Sequence, residues 1–360
     1  MSLKQIYCQD RAIGILQKAF NQQRLGHAYI FAGIEGIGKY TAAVEWAKML
    51  LCQDKIIEND FADSCGKCAS CMLFQGQSHP DFHNIYKELY PFTEEGKNKK
   101  TALVQFPIDV IREFVLDKVS SRPSMGTHSI YVISETEKLN PSSQNAMLKV
   151  LEEPPAHCII IMLCTSVEKL LPTTRSRCQI VRFGAIDKEL VVDSLASLGV
   201  DKKQAIFWAG FCQGSIGQAM VWSGLEAYEF KRQLIQRLAR LKLEDVLEIT
   251  DLILQGTKNI VASWAEKDSQ TSKSDLAKRV QKAVAQMMAL AFADAMKIEA
   301  GIVGDIVNAD QQAEIKAIAG RFTAEQAAEN IETCFQSTKW VDSYVNEKLV
   351  YERMLIELAK

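Results

Sequence analysis

A chain of 360 residues exceeds what one hydrophobic core usually serves, so its length predicts two or three domains. Hydrophobic residues make up 48% and charged residues 24%, a balance that excludes disordered, collagen-like and membrane-embedded classes. The 42 basic and 44 acidic residues nearly cancel, so any contact with nucleic acid must be local or shared with partner chains.

The N-terminal segment has no basic region followed by an apolar run and a cleavage site. We therefore expect no secretory signal and a cytoplasmic location. The most apolar stretch, Cys158 to Cys164, is too short to cross a bilayer. Because structural disulfides are rare in a reducing cytosol, clustered cysteines among the ten favour metal ligation.

The predicted elements begin with an amphipathic helix around Ile13, Leu16 and Phe20. Short β-branched and aromatic runs then alternate with helical stretches, which predicts a parallel sheet flanked by helices. The predicted strands are residues 28–32, 129–133, 158–164 and 179–183. After Phe183 the patterns are helical, so the predicted fold class is α/β followed by all-α.

Polar segments at 93–101 and 265–275 are predicted to be loops. The domain boundaries that we predict are 1–183 for the α/β domain, 184–226 for a small helical unit and 227–360 for a domain of amphipathic helices.

A glycine-rich loop follows the first strand and precedes a helix, as in a phosphate-binding P-loop. Its candidate phosphate ligands are Gly33, Gly36, Gly38 and Lys39. The pattern requires Ser or Thr directly after the lysine, because that hydroxyl binds magnesium. Tyr40 stands there instead, and Thr41 comes one residue late. The loop predicts phosphate binding and argues against hydrolysis; occupancy by ATP or ADP stays open.

The magnesium side of such a site also needs an acidic residue at the end of a later strand. The strand at 129–133 is followed by Ser134 where aspartate is expected, while Glu135 stands where a water-orienting base is common. Loss of both metal-handling groups favours a subunit that keeps the fold without the chemistry.

Four of the ten cysteines lie close together in the sequence, at positions 52, 65, 68 and 71. Two-residue gaps let three thiolates surround one ion, and Cys52 can complete a tetrahedron. The pattern favours a closed structural zinc site formed by Cys52, Cys65, Cys68 and Cys71, with an iron–sulfur cluster as the main alternative. His79 and His83 are alternative ligands, although a hydrogen-bonding role is the simpler interpretation of His79.

Several further motifs resemble the bacterial clamp-loader subunits of DNA polymerase III, which are AAA+ proteins. The resemblance covers most of residues 3–220 and is specific through the combination of its motifs. Those motifs are RLGHAY at 24–29, the cysteine module, HPD at 79–81, IDVIR at 108–112, NAMLKVLEEPP at 145–155 and TRSRC at 174–178. The resemblance implies a RecA-like AAA+ domain, a helical lid and a C-terminal helical collar.

The resemblance also implies roles for single residues. Arg177 matches the Ser-Arg-Cys arginine, which reaches in trans to the γ-phosphate of ATP held by a neighbouring subunit. Thr165, at the end of the apolar run 158–164, matches the γ-phosphate sensor in the fourth strand. Gly217 replaces the lid arginine, a third departure from the ATP-hydrolysing members.

Among these subunits, the chain is most similar to the stator type, which has a degraded nucleotide site and retains the Ser-Arg-Cys arginine. The implied partners are the motor (tau/gamma) and delta subunits, the sliding clamp indirectly and primer–template DNA through the assembled complex, with no membrane. Two alternatives stay open at this point. One is an ATP-hydrolysing motor subunit with unusual magnesium ligation, and the other is a zinc-bearing interaction scaffold that reuses the fold.

Overall fold

The computed structural model describes residues 2–97, 105–268, 271–302, 304, 306–343 and 345–360. The chain divides into two compact units, Met1–Ile186 and Asp187–Lys360. The boundary falls close to the predicted end of the α/β domain at Phe183; the further division near residue 226 stays a prediction. Among the described residues, no helix has the length and apolar character needed to cross a membrane.

The first unit contains a parallel sheet of five strands. Its strands and a separate antiparallel hairpin are β1 (Ala28–Ala32), β2 (Ile56–Glu58), β3 (Phe61–Asp63), β4 (Phe82–Ile85), β5 (Ser129–Ile133), β6 (Cys158–Cys164) and β7 (Gln179–Arg182). The order across the sheet is β4-β5-β6-β1-β7, and β2 pairs with β3. The predicted bounds of β1, β5 and β6 are confirmed, and so is the predicted fold class.

The sheet is buried on both faces, which explains why its central strands are continuous apolar runs. The helices of this unit are α1 (Asp10–Asn21), α2 (Lys39–Leu51), α3 (Ala69–Gln75), α4 (Ile108–Ile111), α5 (Pro141–Glu152) and α6 (Pro172–Arg175). Phe31 and Trp46 belong to the core on one side of the sheet, and Ile30 and Met147 belong to the core on the other.

Parallel register brings the carboxyl ends of the central strands together. Ala32 at the end of β1 lies beside Cys164 at the end of β6, and Ile133 at the end of β5 lies beside Met162. In open parallel sheets, ligands bind outside this edge. The P-loop and the segments after β5 and β6 therefore meet at one place.

Every regular element described in the second unit is a helix. Its helices are α7 (Lys188–Ser197), α8 (Lys202–Phe211), α9 (Ile216–Ser223), α10 (Ala227–Leu238), α11 (Val246–Lys267), α12 (Lys273–Glu299), α13 (Gln312–Ala319), α14 (Ala324–Asp342) and α15 (Glu347–Leu358). A buried ion pair joins α10 to the turn before α13, where Lys231 donates to Asp310 at 2.7 Å.

The structure shortens one of the two predicted loops and describes only part of the other. Helix α11 continues to Lys267 and α12 begins at Lys273, so the loop predicted at 265–275 is too long at both ends. Buried Trp264 and Leu276 anchor the two helix ends, and this packing outweighs the polar composition. Residues 269–270 lie outside the described residues. The same applies to residues 98–101 of the loop predicted at 93–101, whose described part consists of short turns.

Candidate nucleotide site and metal centre

The four clustered cysteines come from three successive elements of the first unit. Cys52 ends α2, Cys65 follows β3, Cys68 caps the N-terminus of α3 and Cys71 lies in its first turn. Their sulfur atoms all lie within 4.8 Å of one another. The structure thus brings together the whole ligand set that the spacing predicts.

The sulfur geometry fits a single small ion. Cys52 Sγ lies 3.6 Å from Cys65 Sγ and 3.8 Å from Cys68 Sγ. A tetrahedral zinc with Zn–S bonds of about 2.3 Å requires sulfur–sulfur edges of about 3.8 Å. Backbone N–H groups of Cys65 and Cys68 donate to the preceding sulfurs at 3.3 Å, which stabilises thiolates. These residues can hold a thiophilic metal ion.

The four thiols differ in acidity because their environments differ. Burial raises the pKa of Cys52 and Cys71. Burial also acts to raise the pKa of Cys68, but N–H groups of Cys71 and Gln53 outweigh it and bring that pKa to about 6. A bound dication would favour the thiolate at all four positions, so metal binding and deprotonation reinforce each other.

The two histidines considered as alternative ligands have other contacts. His79 Nδ1 accepts the backbone N–H of Asp81 at 3.1 Å, so its Nε2–H faces Ser70 Oγ at 3.0 Å. His83 stacks on Tyr131 with ring centroids 4.5 Å apart. Burial lowers the pKa of both histidines. His79 therefore connects helix α3 of the cysteine module to the sheet.

The P-loop has the close backbone packing that its glycines allow. A Cβ atom on Gly33 would lie 2.7 Å from the carbonyl oxygen of Phe183. Gly38 adopts a φ of 93° where α2 begins, a conformation that favours glycine. Lys39 Nζ donates to the carbonyl oxygens of Gly33 and Ile34, both at 2.6 Å. The lysine expected to hold phosphate is thus satisfied by the loop itself.

Burial lowers the pKa of Lys39, and the charges of Glu137 and Glu35 partly oppose this effect. The other P-loop positions, Gly36 and Thr41, are half-buried. The ammonium and the helix N-terminus favour an anionic ligand, whereas the two nearby carboxylates oppose one.

The residues on the predicted magnesium side of the P-loop are Tyr40, Ser134 and Glu135. The Tyr40 side chain is 44% exposed. Ser134 follows β5 and offers a hydroxyl where a carboxylate would be needed. Glu135 forms ion pairs with Lys87 at 3.3 Å and with Lys138. Burial acts to raise the pKa of Glu135, but the two lysines outweigh it and lower that pKa. A carboxylate held by two ammonium groups is a poor base for orienting water.

Sequence reasoning missed Glu137 as a residue of this site. Thr165 Oγ1 donates to Glu137 Oε1 at 2.6 Å, and the Thr165 N–H donates to Glu137 Oε2 at 3.3 Å. The short 3-10 turn Thr136–Lys138 after β5 brings this carboxylate back to the sheet edge. The available signal was the second acidic residue in the run after the strand.

Arg177 lies just after α6, with a side chain that is 34% exposed. Its guanidinium contacts Glu152 Oε1 at 2.7 Å and donates to the Thr173 carbonyl oxygen at 2.9 Å. The ion pair joins the end of the NAMLKVLEEPP segment to the TRSRC segment. The arginine is thereby oriented at the surface of the unit.

Comparison with known proteins shows the family of this chain. A family model described as DNA polymerase III, delta subunit, matches residues 8–187, and one for the C-terminal part of that subunit matches residues 269–360. The chain belongs to the delta-prime family of DNA polymerase III clamp-loader subunits. The Bacillus subtilis delta-prime subunit is 24% identical over 98% of this chain and 96% of the relative.

Other members of the clamp-loader group are also similar. The Bacillus subtilis tau subunit is 32% identical over 69% of this chain, but this chain spans only 40% of that relative. The Escherichia coli delta-prime subunit is 27% identical over 62% of each chain. Among solved structures, a gamma subunit-related protein from Thermotoga maritima is 14% identical over 97% of this chain and 98% of the other, with a TM-score of 0.42.

Proposed function

We propose that this chain is the stator subunit of a bacterial DNA polymerase III clamp loader. In this role it does not hydrolyse ATP itself and provides Arg177 to the ATP site of a neighbouring motor subunit. The observation that carries the proposal is the combination of an incomplete nucleotide site with an oriented, partly exposed arginine in the same unit.

Hydrolysis at the chain's own P-loop would need side chains that hold magnesium and orient the attacking water. Tyr40 cannot supply the hydroxyl, Ser134 cannot supply the carboxylate, and Glu135 is paired with Lys87 and Lys138. Three losses on one side of the site support binding without turnover. The retained Lys39 supports residual affinity for the phosphates of ATP or ADP.

Arg177 supports action in trans. A guanidinium presents a permanent charge and fixed donors, which suit the oxygens of a phosphoryl group in transfer. Glu152 and the Thr173 carbonyl restrict the side chain, so less conformational entropy is lost when it meets a phosphate. The exposed part of the guanidinium is the part that a neighbouring site would contact.

The remaining parts of the proposal concern partners and cofactor. The cysteine centre takes a structural zinc ion, because four sulfur ligands leave no open position for catalysis. The partners are the motor (tau/gamma) and delta subunits, and contact with the sliding clamp and primer–template DNA occurs through the complex in the bacterial cytoplasm. Residues 184–226 serve as the lid and residues 227–360 as the collar.

Reconstitution tests the proposal. The full chain, as wild type or Arg177→Ala, is assembled with motor and delta subunits, and ATP turnover and assembly are measured. We expect Arg177→Ala to lower turnover while leaving assembly intact. Arg182→Ala, which removes an exposed arginine from β7, is the matched control and should keep full turnover. Unchanged turnover in Arg177→Ala, or magnesium-dependent hydrolysis by the isolated wild-type chain, would contradict the stator role.

A further inference from the structure

The segment after β5 places a carboxylate beside the P-loop. Glu137 is held against Thr165, which directly follows β6. The end of β6 is joined to the P-loop by a hydrogen bond from the Gly33 N–H to the Cys164 carbonyl oxygen at 3.2 Å. Glu137 therefore lies at the carboxyl edge of the sheet, where a nucleotide held by the P-loop would extend its phosphates.

Both donor groups at this edge are already satisfied by oxygen atoms of the chain. Thr165 uses its hydroxyl and its N–H on the two carboxylate oxygens of Glu137. Lys39 uses its ammonium on the Gly33 and Ile34 carbonyls. A terminal phosphate would have to displace these oxygens and lie close to the charge of Glu137.

We propose that Glu137 is a specificity-determining residue of the P-loop site, whose carboxylate takes the place of a terminal phosphate and so selects against nucleoside triphosphates relative to diphosphates. The inference deepens the proposed function and rests on its claim that the chain's own nucleotide site is degraded. The electrostatic coupling of Glu137 to Lys39 is consistent with this placement, since it opposes the burial that lowers the lysine pKa.

The selection arises from the position of the negative charge. The backbone of a P-loop surrounds the phosphates nearer the nucleoside, and the loop of this chain keeps its glycines and its helix N-terminus. A diphosphate can use these groups without reaching Thr165. A triphosphate adds charge next to Glu137 and competes for the Thr165 donors, so it loses affinity.

Nucleotide binding by the full chain tests the inference. Calorimetric titration with ATP and with ADP is carried out on wild type, Glu137→Gln and Glu137→Ala. Because Gln keeps the shape and removes the charge, we expect Glu137→Gln to bind ATP about tenfold more tightly than wild type, with ADP changed by less than about twofold. Glu137→Ala should give a gain in the same direction.

The matched control is Glu168→Gln. Glu168 also follows β6, and its carboxylate accepts from Ser166 rather than from Thr165. This variant also removes one charge near the edge of the sheet. Because it leaves the contact between Thr165 and Glu137 in place, it should leave the ratio of ATP to ADP affinity unchanged.

Three results would overturn the inference: no gain in ATP affinity in either Glu137 variant, an equal gain for ADP, or the same gain in Glu168→Gln. These results concern binding by the isolated chain and leave the Arg177→Ala turnover test untouched. Hydrolysis by the wild-type chain would instead contradict the proposed function, so the two failures are distinguishable.

Discussion

Helix α2 has a ligand-binding arrangement at each end, and the two differ in completeness. At its C-terminal end, Cys52 and three further cysteines form a closed set of sulfur ligands within 4.8 Å of one another. At its N-terminal end, the P-loop keeps its glycines and Lys39, but Tyr40 replaces the hydroxyl that magnesium requires. One helix thus connects a complete set of four sulfur ligands to a P-loop that we propose has lost catalytic groups.

The difference follows from what each site contributes to folding. Burial raises the pKa of Cys52 and Cys71, so these two thiols need a bound cation to become ligands, and we expect metal binding to stabilise the cysteine module. The P-loop needs no ligand, because the Lys39 ammonium is satisfied by two carbonyl oxygens of its own loop. We therefore expect the fold to tolerate substitutions on the predicted magnesium side of the P-loop better than substitution of a clustered cysteine.

The largest expected effect on stability is at the C-terminal end of α2, where the four cysteines lie. Cys71→Ser should lower the metal content from about one zinc ion per chain and lower the free energy of unfolding by about 4 kcal/mol or more, because Cys71 is fully buried and metal binding is coupled to folding. Metal analysis and denaturant unfolding measure the two quantities. Cys8→Ser, outside the cluster, should change neither. A wild-type chain that contains iron or no metal would contradict the zinc assignment.

A smaller effect is expected where the cysteine module joins the sheet. The buried Asp81 carboxylate accepts N–H groups from Ser124, Met125 and Gly126, and its neighbour His79 contacts Ser70 of the module. Asp81→Asn replaces one acceptor by a donor, so it should cost about 1–3 kcal/mol at neutral pH. The exposed Asp60→Asn change is the control and should be nearly neutral.

The Asp81 effect should depend on pH with a definite sign. Burial acts to raise the pKa of Asp81, but the three N–H groups and His79 outweigh it and lower that pKa. A lowered pKa in the folded state stabilises the fold above the ordinary aspartate pKa of about 3.9, and this stabilisation is lost as the pH falls through the folded value. The stability difference between wild type and Asp81→Asn should therefore shrink below about pH 4. A difference that stays constant would contradict this role.

The smallest expected effect is a change in ADP affinity when the magnesium side of the P-loop is partly restored. Tyr40→Thr combined with Ser134→Asp restores a hydroxyl and a carboxylate, so ADP should bind about tenfold more tightly with magnesium than with EDTA. The wild-type chain should show nearly equal affinities in the two conditions. ADP is the suitable probe because the proposed effect of Glu137 falls on triphosphates. A strong magnesium dependence in wild type would show that its site still has metal ligands.

Sequence patterns predicted the parts of this chain that depend on local composition and spacing. The buried strands β1, β5 and β6 are long apolar runs, and the cysteine gaps specify one ligand set, so both were predicted. The edge strand β4 was missed because its FHNI sequence is interrupted by His83 and Asn84. The hairpin of β2 and β3 was missed because each strand has only three residues.

Contacts between distant residues could not be predicted from spacing. The pairing of Arg177 with Glu152 and of Thr165 with Glu137 depends on how the segments after the strands fold back on the sheet edge. Each pair joins residues that are 25 or 28 positions apart in the chain. The sequence predicted Arg177 and Thr165 through family resemblance, but their partners became visible only in three dimensions.

The most direct test of the stator role compares Lys39→Ala with Arg177→Ala in the same reconstituted complex. Lys39→Ala disables the chain's own P-loop, so complex ATP turnover should stay at the wild-type value. Arg177→Ala should slow hydrolysis at the neighbouring site by about a thousandfold, which is the effect of losing an arginine finger. ATP turnover by the whole complex should then fall by at least the fraction that this site contributes. Loss of turnover in Lys39→Ala with normal turnover in Arg177→Ala would contradict the assignment of this chain as a stator.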